Sequence, residues 1–276
     1  MTLKLFTFCV DIGKHSQRDL KTSLNILLKS IKKYVKDYQV ICYSNFINPE
    51  EYFEFNIEFR EYYDNTINLM YSDNWLNLSF NKINIYKDLR EEFNSDFIWI
   101  DIDTVVLYDI SYLNDVSNFF VPIGGSCTNK NFLFSNNQSI TVSRKDYIQG
   151  HFWKLNPKLY DNLIETLNEL DAKGLKLRYD LQDLFGYYLY HKNFYNTLNV
   201  FGKNYKPNVS NGLSVWSKNG NTHASLDGLK NLFFDNEVLR SNYEKDKQIH
   251  TLSFTMETMK NLMYNEEFNK LFGDLV

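Results

Sequence analysis

The chain has 276 residues, 43% hydrophobic and 23% charged, enough to bury one large α/β core. Thirty basic against 34 acidic residues leave a net charge of −4, so no overall basic field points to nucleic acid as a partner. Cys9, Cys42 and Cys127 lack CxxC spacing; they fit neither a disulfide framework nor a structural zinc site, and they indicate a reducing compartment.

LKLFTFCV (3–10) reads as a buried first strand. It is not read as a signal peptide, because Lys4 and Asp11 interrupt the apolar run and no small-residue cleavage site follows. Apolar residues then recur at Leu20, Leu24, Leu27, Leu28, Ile31 and Val35, the spacing of a helix. YQVICYS (38–44) predicts a second strand and FNIEFREYY (55–63) a short third one. A second helix is expected from Ser79 to Phe93, with Phe80, Ile83, Tyr86 and Leu89 as its apolar stripe. FIWIDIDTVVL (97–107) follows and reads as a buried strand. Strand and helix alternate over the first 110 residues, which predicts a mostly parallel, doubly wound sheet flanked by helices.

Downstream, NFFVPIGG (118–125) and QSITVSRKDY (138–147) read as strands around a loop from Gly124 to Asn137. Leu159 to Leu170 and Leu181 to Tyr190 read as helices, and the Gly- and Pro-punctuated segment 199–230 as hairpins and loops. In the tail, Met256, Met259, Leu262, Met263, Phe268 and Leu271 have helical spacing. Without an internal repeat or a clean linker, a single domain spanning 1–276 is expected. No apolar run approaches the roughly 20 residues that cross a bilayer.

FIWIDIDTVVL carries two carboxylates inside an apolar run. On an unbroken strand, alternation puts Asp101 and Asp103 on one face, about 7 Å apart. Two such charges repel and are costly in apolar surroundings. A divalent cation relieves both penalties, and a nucleotide diphosphate completes its oxygen shell. In open α/β sheets the ligand crevice lies beyond the carboxyl ends of the strands, where this run ends. The alternative is that each Asp caps a turn or pairs with a Lys or Arg.

This layout resembles a GT-A glycosyltransferase, the nucleotide-sugar-dependent class with a Rossmann-like mixed sheet and a DxD after a hydrophobic strand. The resemblance covers most of the first 190 residues in arrangement and rests on a few short motifs. It implies a nucleotide-binding half of about 1–110 and an acceptor and sugar half of about 111–276. It also implies Mn²⁺, or Mg²⁺, held by Asp101 and Asp103, with Asp101 and Ile102 beside the donor. A third metal ligand is implied in His250 of KQIHTLSF, the histidine with the right place in the chain order. Phe8, Cys9, Val10 and Asp11 would seat the base and ribose; Asp11 equally fits a cap of the following loop.

On the helix before the DxD, Asn81 and Lys82 of SFNKINIYKDL would reach the donor sugar or diphosphate; a solvated Lys on an amphipathic helix is the alternative. Gly150 and His151 of GHFWKLN resemble the small-residue turn facing the donor sugar, and a packed histidine is the alternative. In LQDLFGYYL, Gln182 and Asp183 match the acidic-Gln-Asp cluster of retaining enzymes. Leu181 replaces the usual first acid, and Asp180 lies one residue earlier. Asp180 as N-cap with Asp183 at N3 is the competing reading.

The implied activity is transfer of a sugar from a nucleotide-sugar donor, a UDP-sugar by preference, with retention. The acceptor is a glycan or lipid-linked glycan of capsule or lipopolysaccharide type, on the cytoplasmic side. Lys29, Lys32, Lys33 and Lys36, with the Met-rich tail, would allow peripheral contact with an anionic membrane. Three other classes share features of the DxD strand. A haloacid-dehalogenase-type phosphatase carries DxDxT near its N-terminus, whereas Thr104 follows Asp103 directly and a hundred residues precede the motif. A nucleotidyltransferase would need a Gly-rich basic loop near strand one, which is not seen. The third is a non-catalytic sugar-nucleotide-binding module.

Overall fold

The computed structural model describes residues 1–63, 74–122, 129–133, 139–143, 148–173, 181–191, 229–242, 248–254, 256, 259 and 264–275. In chain order the elements are β1 (Leu3–Cys9), α1 (Gln17–Tyr34), β2 (Tyr38–Ser44), β3 (Ile57–Glu61), α2 (Asn74–Phe93), β4 (Ile98–Ile100) and β5 (Thr104–Val106). There follow β6 (Phe119–Pro122), β7 (Asn129–Leu133), β8 (Ser139–Ser143), β9 (Ile148–Lys154), α3 (Pro157–Ala172) and α4 (Leu181–His191). The chain ends with β10 (Leu232–Asp235), β11 (Val238–Ser241), β12 (Thr251–Ser253) and α5 (Glu266–Phe272). The architecture is the expected mixed α/β one, with a mostly parallel sheet flanked by helices.

Contacts divide the chain into two compact units. One comprises Met1–Tyr62, Ile100–Val116 and Phe201–Val276, the other Tyr63–Trp99 and Ser117–Val200. Each unit therefore draws on residues from both sides of position 110.

In the first unit, β3, β2 and β1 lie side by side. β1 pairs β2 in parallel from Leu3↔Tyr38 to Cys9↔Ser44, and β2 pairs β3 in parallel from Val40↔Ile57. Six of the seven residues in each of β1 and β2 are buried, so apolar side chains cover both faces. That explains why their sequences are near-continuous apolar runs with no polar alternation. α1 packs Leu20, Leu24, Ile26, Leu27, Leu28 and Ile31 inward. It starts where Ser16 Oγ accepts the Asp19 N–H. Ser16→Ala should cost about 1 kcal/mol in urea-unfolding free energy at an unchanged m-value, because one orphan donor of the first turn loses its acceptor. At the other end of α1, Lys32 pairs with Glu54 at 2.8 Å and Lys33 with Asp274. Lys32 and Lys33, both read as part of a membrane-facing patch, are thus engaged in ion pairs.

The C-terminal part of this unit adds a hairpin and a helix. β10 and β11 turn through Asn236 and Glu237 at φ 48° and 68°. Two consecutive left-handed residues give a two-residue turn whose twist matches the strands. Leu232, Leu239, Ile249, Leu252, Phe254, Phe268 and Phe272 form one core with Val105 and Leu107. The expected tail helix is broken: Asn265 Oδ1 accepts the Phe268 N–H and starts α5 as a separate helix.

In the second unit the strand order is β4-β9-β6. β6 and β9 are antiparallel, with an irregularity between Phe120 and Val121. β7 and β8 form an antiparallel pair, so a strand occupies part of the loop expected over 124–137. Trp153, fully buried, centres an aromatic core with Tyr86 at 5.8 Å, Phe185 at 5.6 Å and Trp99 stacked at 6.2 Å. Tyr86 Oη donates to the Leu155 carbonyl, linking α2 to the end of β9. Most of segment 199–230 lies outside the described residues.

Candidate functional site

β4 stops at Ile100, and the chain turns through Asp101, Ile102 and Asp103 before β5 begins at Thr104. The Thr104 N–H donates to the Asp101 carbonyl at 3.2 Å, which closes a four-residue β-turn. The expected unbroken strand over 97–107 therefore does not form, and strand alternation does not govern the two carboxylates. The reason lies in the residues themselves: Asp favours turns, and two like charges inside a buried strand would be costly. The turn lifts Asp101 and Asp103 to half-burial while Ile102 stays buried. The Asp103 carbonyl accepts the Phe254 N–H at 2.8 Å. Both backbone bonds hold the turn without drawing on its carboxylates.

The short strand β12 is flanked by Phe254 on one side and His250 on the other. β12 pairs β5 antiparallel, with Ser253 opposite Thr104 and Thr251 opposite Val106. In this register the His250 carbonyl accepts the Leu107 N–H at 2.8 Å, four positions along the ladder from Asp103. At strand rise that separation is about 13 Å. The implied metal ligand is therefore not brought to the acidic turn. The downstream segment does meet the DxD, but through the backbone of Phe254. His250 is 2% exposed, stacks on Tyr108 at 4.6 Å, and shares a hydrogen bond with Tyr112 Oη through Nδ1 at 2.8 Å. Burial pushes its pKa down from 6.5 to about 4. It is a neutral, packed histidine at neutral pH.

At the end of β1, Phe8, Cys9 and Val10 are core residues. Phe8 sits edge-on to Tyr43 at 5.9 Å and to Tyr62 at 5.5 Å. Burial pushes the Cys9 thiol up to about 12, with Lys21 opposing weakly. Asp11 is where this strand end becomes polar. Its Oδ1 accepts the Gly13 N–H at 2.8 Å and its Oδ2 accepts Gln17 Nε2 at 2.9 Å. These two bonds, the Gly13 one foremost, hold the carboxyl below its ordinary value. Its backbone exchanges hydrogen bonds with the Asn45 amide, N–H to Oδ1 and Nδ2 to carbonyl, both 2.9 Å. Gly13 has φ +78°, a conformation that favours glycine. Asp11 thus caps its own loop, and Asn45, which the sequence reading missed, fixes that loop to the end of β2.

In the second unit, Asn81 is fully buried and its Nδ2 donates to the Tyr63 carbonyl at 2.7 Å, while Oδ1 is buried with no hydrogen-bond partner. Lys82 is not a fully solvated lysine: its ammonium lies over the Trp99 ring, 4.3 Å from the centroid. Gly150 and His151 lie within β9 and form no turn; His151 is 4% exposed. The expected turn is absent because buried residues run on without a break through His151, Phe152, Trp153 and Lys154, giving a seven-residue strand covered on both faces. Gln182 and Asp183 fall in the first turn of α4; their side chains, like Asp180, lie outside the described residues.

Among the described residues, no group of three His, Cys, Asp or Glu side chains could hold a metal ion. The acidic turn supplies two hard oxygen donors, a set that fits Mg²⁺ or Mn²⁺ sharing substrate phosphate and water oxygens. It does not fit a cage made wholly of protein.

No protein-family model and no curated protein matches the sequence. Among solved structures, the apo structure of WbbM, a bifunctional glycosyltransferase, matches with a TM-score of 0.58 at 16% identity. The match covers 92% of this chain and 46% of that one, so this chain spans about half the length of the protein it matches. The chain has the fold of a glycosyltransferase's mixed α/β domain.

Proposed function

We propose that the chain is a metal-dependent GT-A-type glycosyltransferase. It would move a sugar from a nucleotide-sugar donor, a UDP-sugar by preference, to a glycan or lipid-linked glycan of a surface polysaccharide. The observation that carries this reading is the acidic turn after β4, fixed by the Thr104 and Phe254 N–H groups, in a fold similar to that of a glycosyltransferase. Asp101 and Asp103 would hold Mn²⁺ or Mg²⁺. The cation's chemistry is to offset the charge that develops on the leaving diphosphate.

Other residues take the roles that the resemblance implies. The Asp11 loop, locked by Asn45 and Gln17, offers a pre-formed edge to base or ribose. Lys82, held over Trp99, offers a positive charge to the donor diphosphate. Asp183 and Gln182 would orient the transferred sugar. With retention, the acceptor proton leaves on the donor-phosphate side; with inversion, Asp183 would be the general base.

No helix among the described residues is long and apolar enough to cross a membrane. A thermal-shift screen across UDP-, GDP-, CMP- and dTDP-sugars with Mn²⁺ tests the donor class, and NMR of the product anomer tests retention. Stabilisation by one nucleotide sugar and a conserved anomeric configuration are expected; no stabilisation by any donor would count against the proposal.

A further inference from the structure

We infer that Ser30 is a positioning residue that fixes the acidic turn relative to the Asp11 loop through helix α1, an inference that rests on the donor reading above. Ser30 is fully buried on α1. Its Oγ donates to the Leu27 carbonyl at 2.6 Å and accepts the Val106 N–H at 3.0 Å. β5 has only three residues. One of its edges bonds to β12 and its flanks, through Leu107 and the Asp103 carbonyl. On the other edge, the Thr104 N–H closes the acidic turn and the Val106 N–H goes to Ser30. Ser30 is thus the side chain that ties the outer edge of β5 to a helix.

The same helix reaches the Asp11 loop at its start, where Gln17 donates to Asp11 Oδ2. From Gln17 to Ser30 the helix runs about 20 Å. One rigid rod therefore grips the loop proposed for base and ribose at one end and the strand leading from the acidic turn at the other. On the donor reading a nucleoside diphosphate would span both places, whereas inorganic pyrophosphate with Mn²⁺ would need only the acidic turn. Loss of the Ser30 tether should therefore penalise the first ligand and spare the second.

The test compares Ser30→Ala, Ser30→Thr, Gln17→Ala and the control Ser23→Ala, whose hydroxyl donates to the Asp19 carbonyl at 3.0 Å and to Met256 Sδ at 3.6 Å and does not touch β5. Calorimetry measures affinity for UDP and for pyrophosphate, each with Mn²⁺, and hydrogen exchange follows the Val106 amide. In Ser30→Ala, Val106 protection should fall and UDP affinity should drop about tenfold, within the usual range of coupling between two places in one protein. Pyrophosphate affinity should stay within about twofold. Ser30→Thr, which keeps a hydroxyl, should restore both readouts, and Ser23→Ala should change neither.

Gln17 is exposed, so Gln17→Ala leaves folding intact and should cost UDP alone about threefold. Equal losses for UDP and pyrophosphate would overturn the inference, as would unchanged UDP affinity once Val106 is deprotected. Absence of Mn²⁺-dependent UDP binding by the wild-type chain would overturn the donor reading itself, and it is seen before any variant is made.

Discussion

Asp103→Ala should weaken Mn²⁺-dependent UDP binding by at least about a hundredfold, while the chain still unfolds cooperatively in urea without metal. The two halves of this result have separate causes. The turn is closed by the Thr104 N–H on the Asp101 carbonyl and anchored by the Phe254 N–H on the Asp103 carbonyl. Truncating the Asp103 side chain leaves both backbone bonds in place, so the turn itself should persist. The cation would lose one of two hard oxygen donors, and among the described residues no cluster of His, Cys, Asp or Glu stands ready to replace it. Asp103→Asn should behave alike, since an amide oxygen carries no net charge. Calorimetry with UDP and Mn²⁺, beside urea unfolding in EDTA, reads both halves.

His250→Gln should remove most of an acid-induced loss of stability of about 3 kcal/mol and leave Mn²⁺-dependent UDP affinity within about twofold. In the folded chain His250 is buried against Tyr108 and Tyr112, and burial takes its pKa from 6.5 to about 4. Between those values the unfolded chain binds a proton that the folded chain does not. Stability is therefore full above pH 6.5, falls as pH drops from 6.5 toward 4, and is flat in this contribution below that. Gln cannot titrate, yet its amide can still meet the Tyr112 hydroxyl, so the variant should show a flatter unfolding free energy from pH 7 to 4. The affinity arm addresses the role implied by chain order. A histidine four ladder positions from Asp103 should not matter for the cation, and a tenfold loss of affinity would restore it as a ligand.

Much of the fold was legible because each element announced itself by period. The apolar runs of β1 and β2, the Leu20–Val35 spacing of α1 and the stripe of α2 all sit where periodicity puts them. The errors have identifiable physical causes. FIWIDIDTVVL was read as one strand because its flanks are apolar, but Asp-Ile-Asp-Thr is also a turn sequence, and Thr104 closes that turn. The reading of His250 placed it by order along the chain. Order brings the right segment to the acidic turn, but antiparallel register decides which residue arrives, and that residue is Phe254.

Gly150 suggested a turn on composition, yet Ile148, Phe152 and Trp153 around it carry a strand. Ser30 gave a faint signal, a serine among Leu27, Leu28 and Ile31 on an apolar face. A buried hydroxyl in that setting needs partners, and only the fold shows that one of them is the Val106 amide. Asn45 and Tyr112 left no trace in the sequence, because their roles depend on contacts across 34 and 138 residues.

A nucleotide-sugar site built on the acidic turn makes nucleoside diphosphate binding depend on the divalent cation. Calorimetric titration of UDP, GDP, CDP and dTDP into the wild-type chain, with Mn²⁺ and again with EDTA, tests it most directly. The predicted result is saturable binding of one nucleoside diphosphate, UDP foremost, that disappears in EDTA. Failure of all four to bind, with hydrolysis of p-nitrophenyl phosphate that Asp101→Asn abolishes, would contradict it and favour a phosphatase.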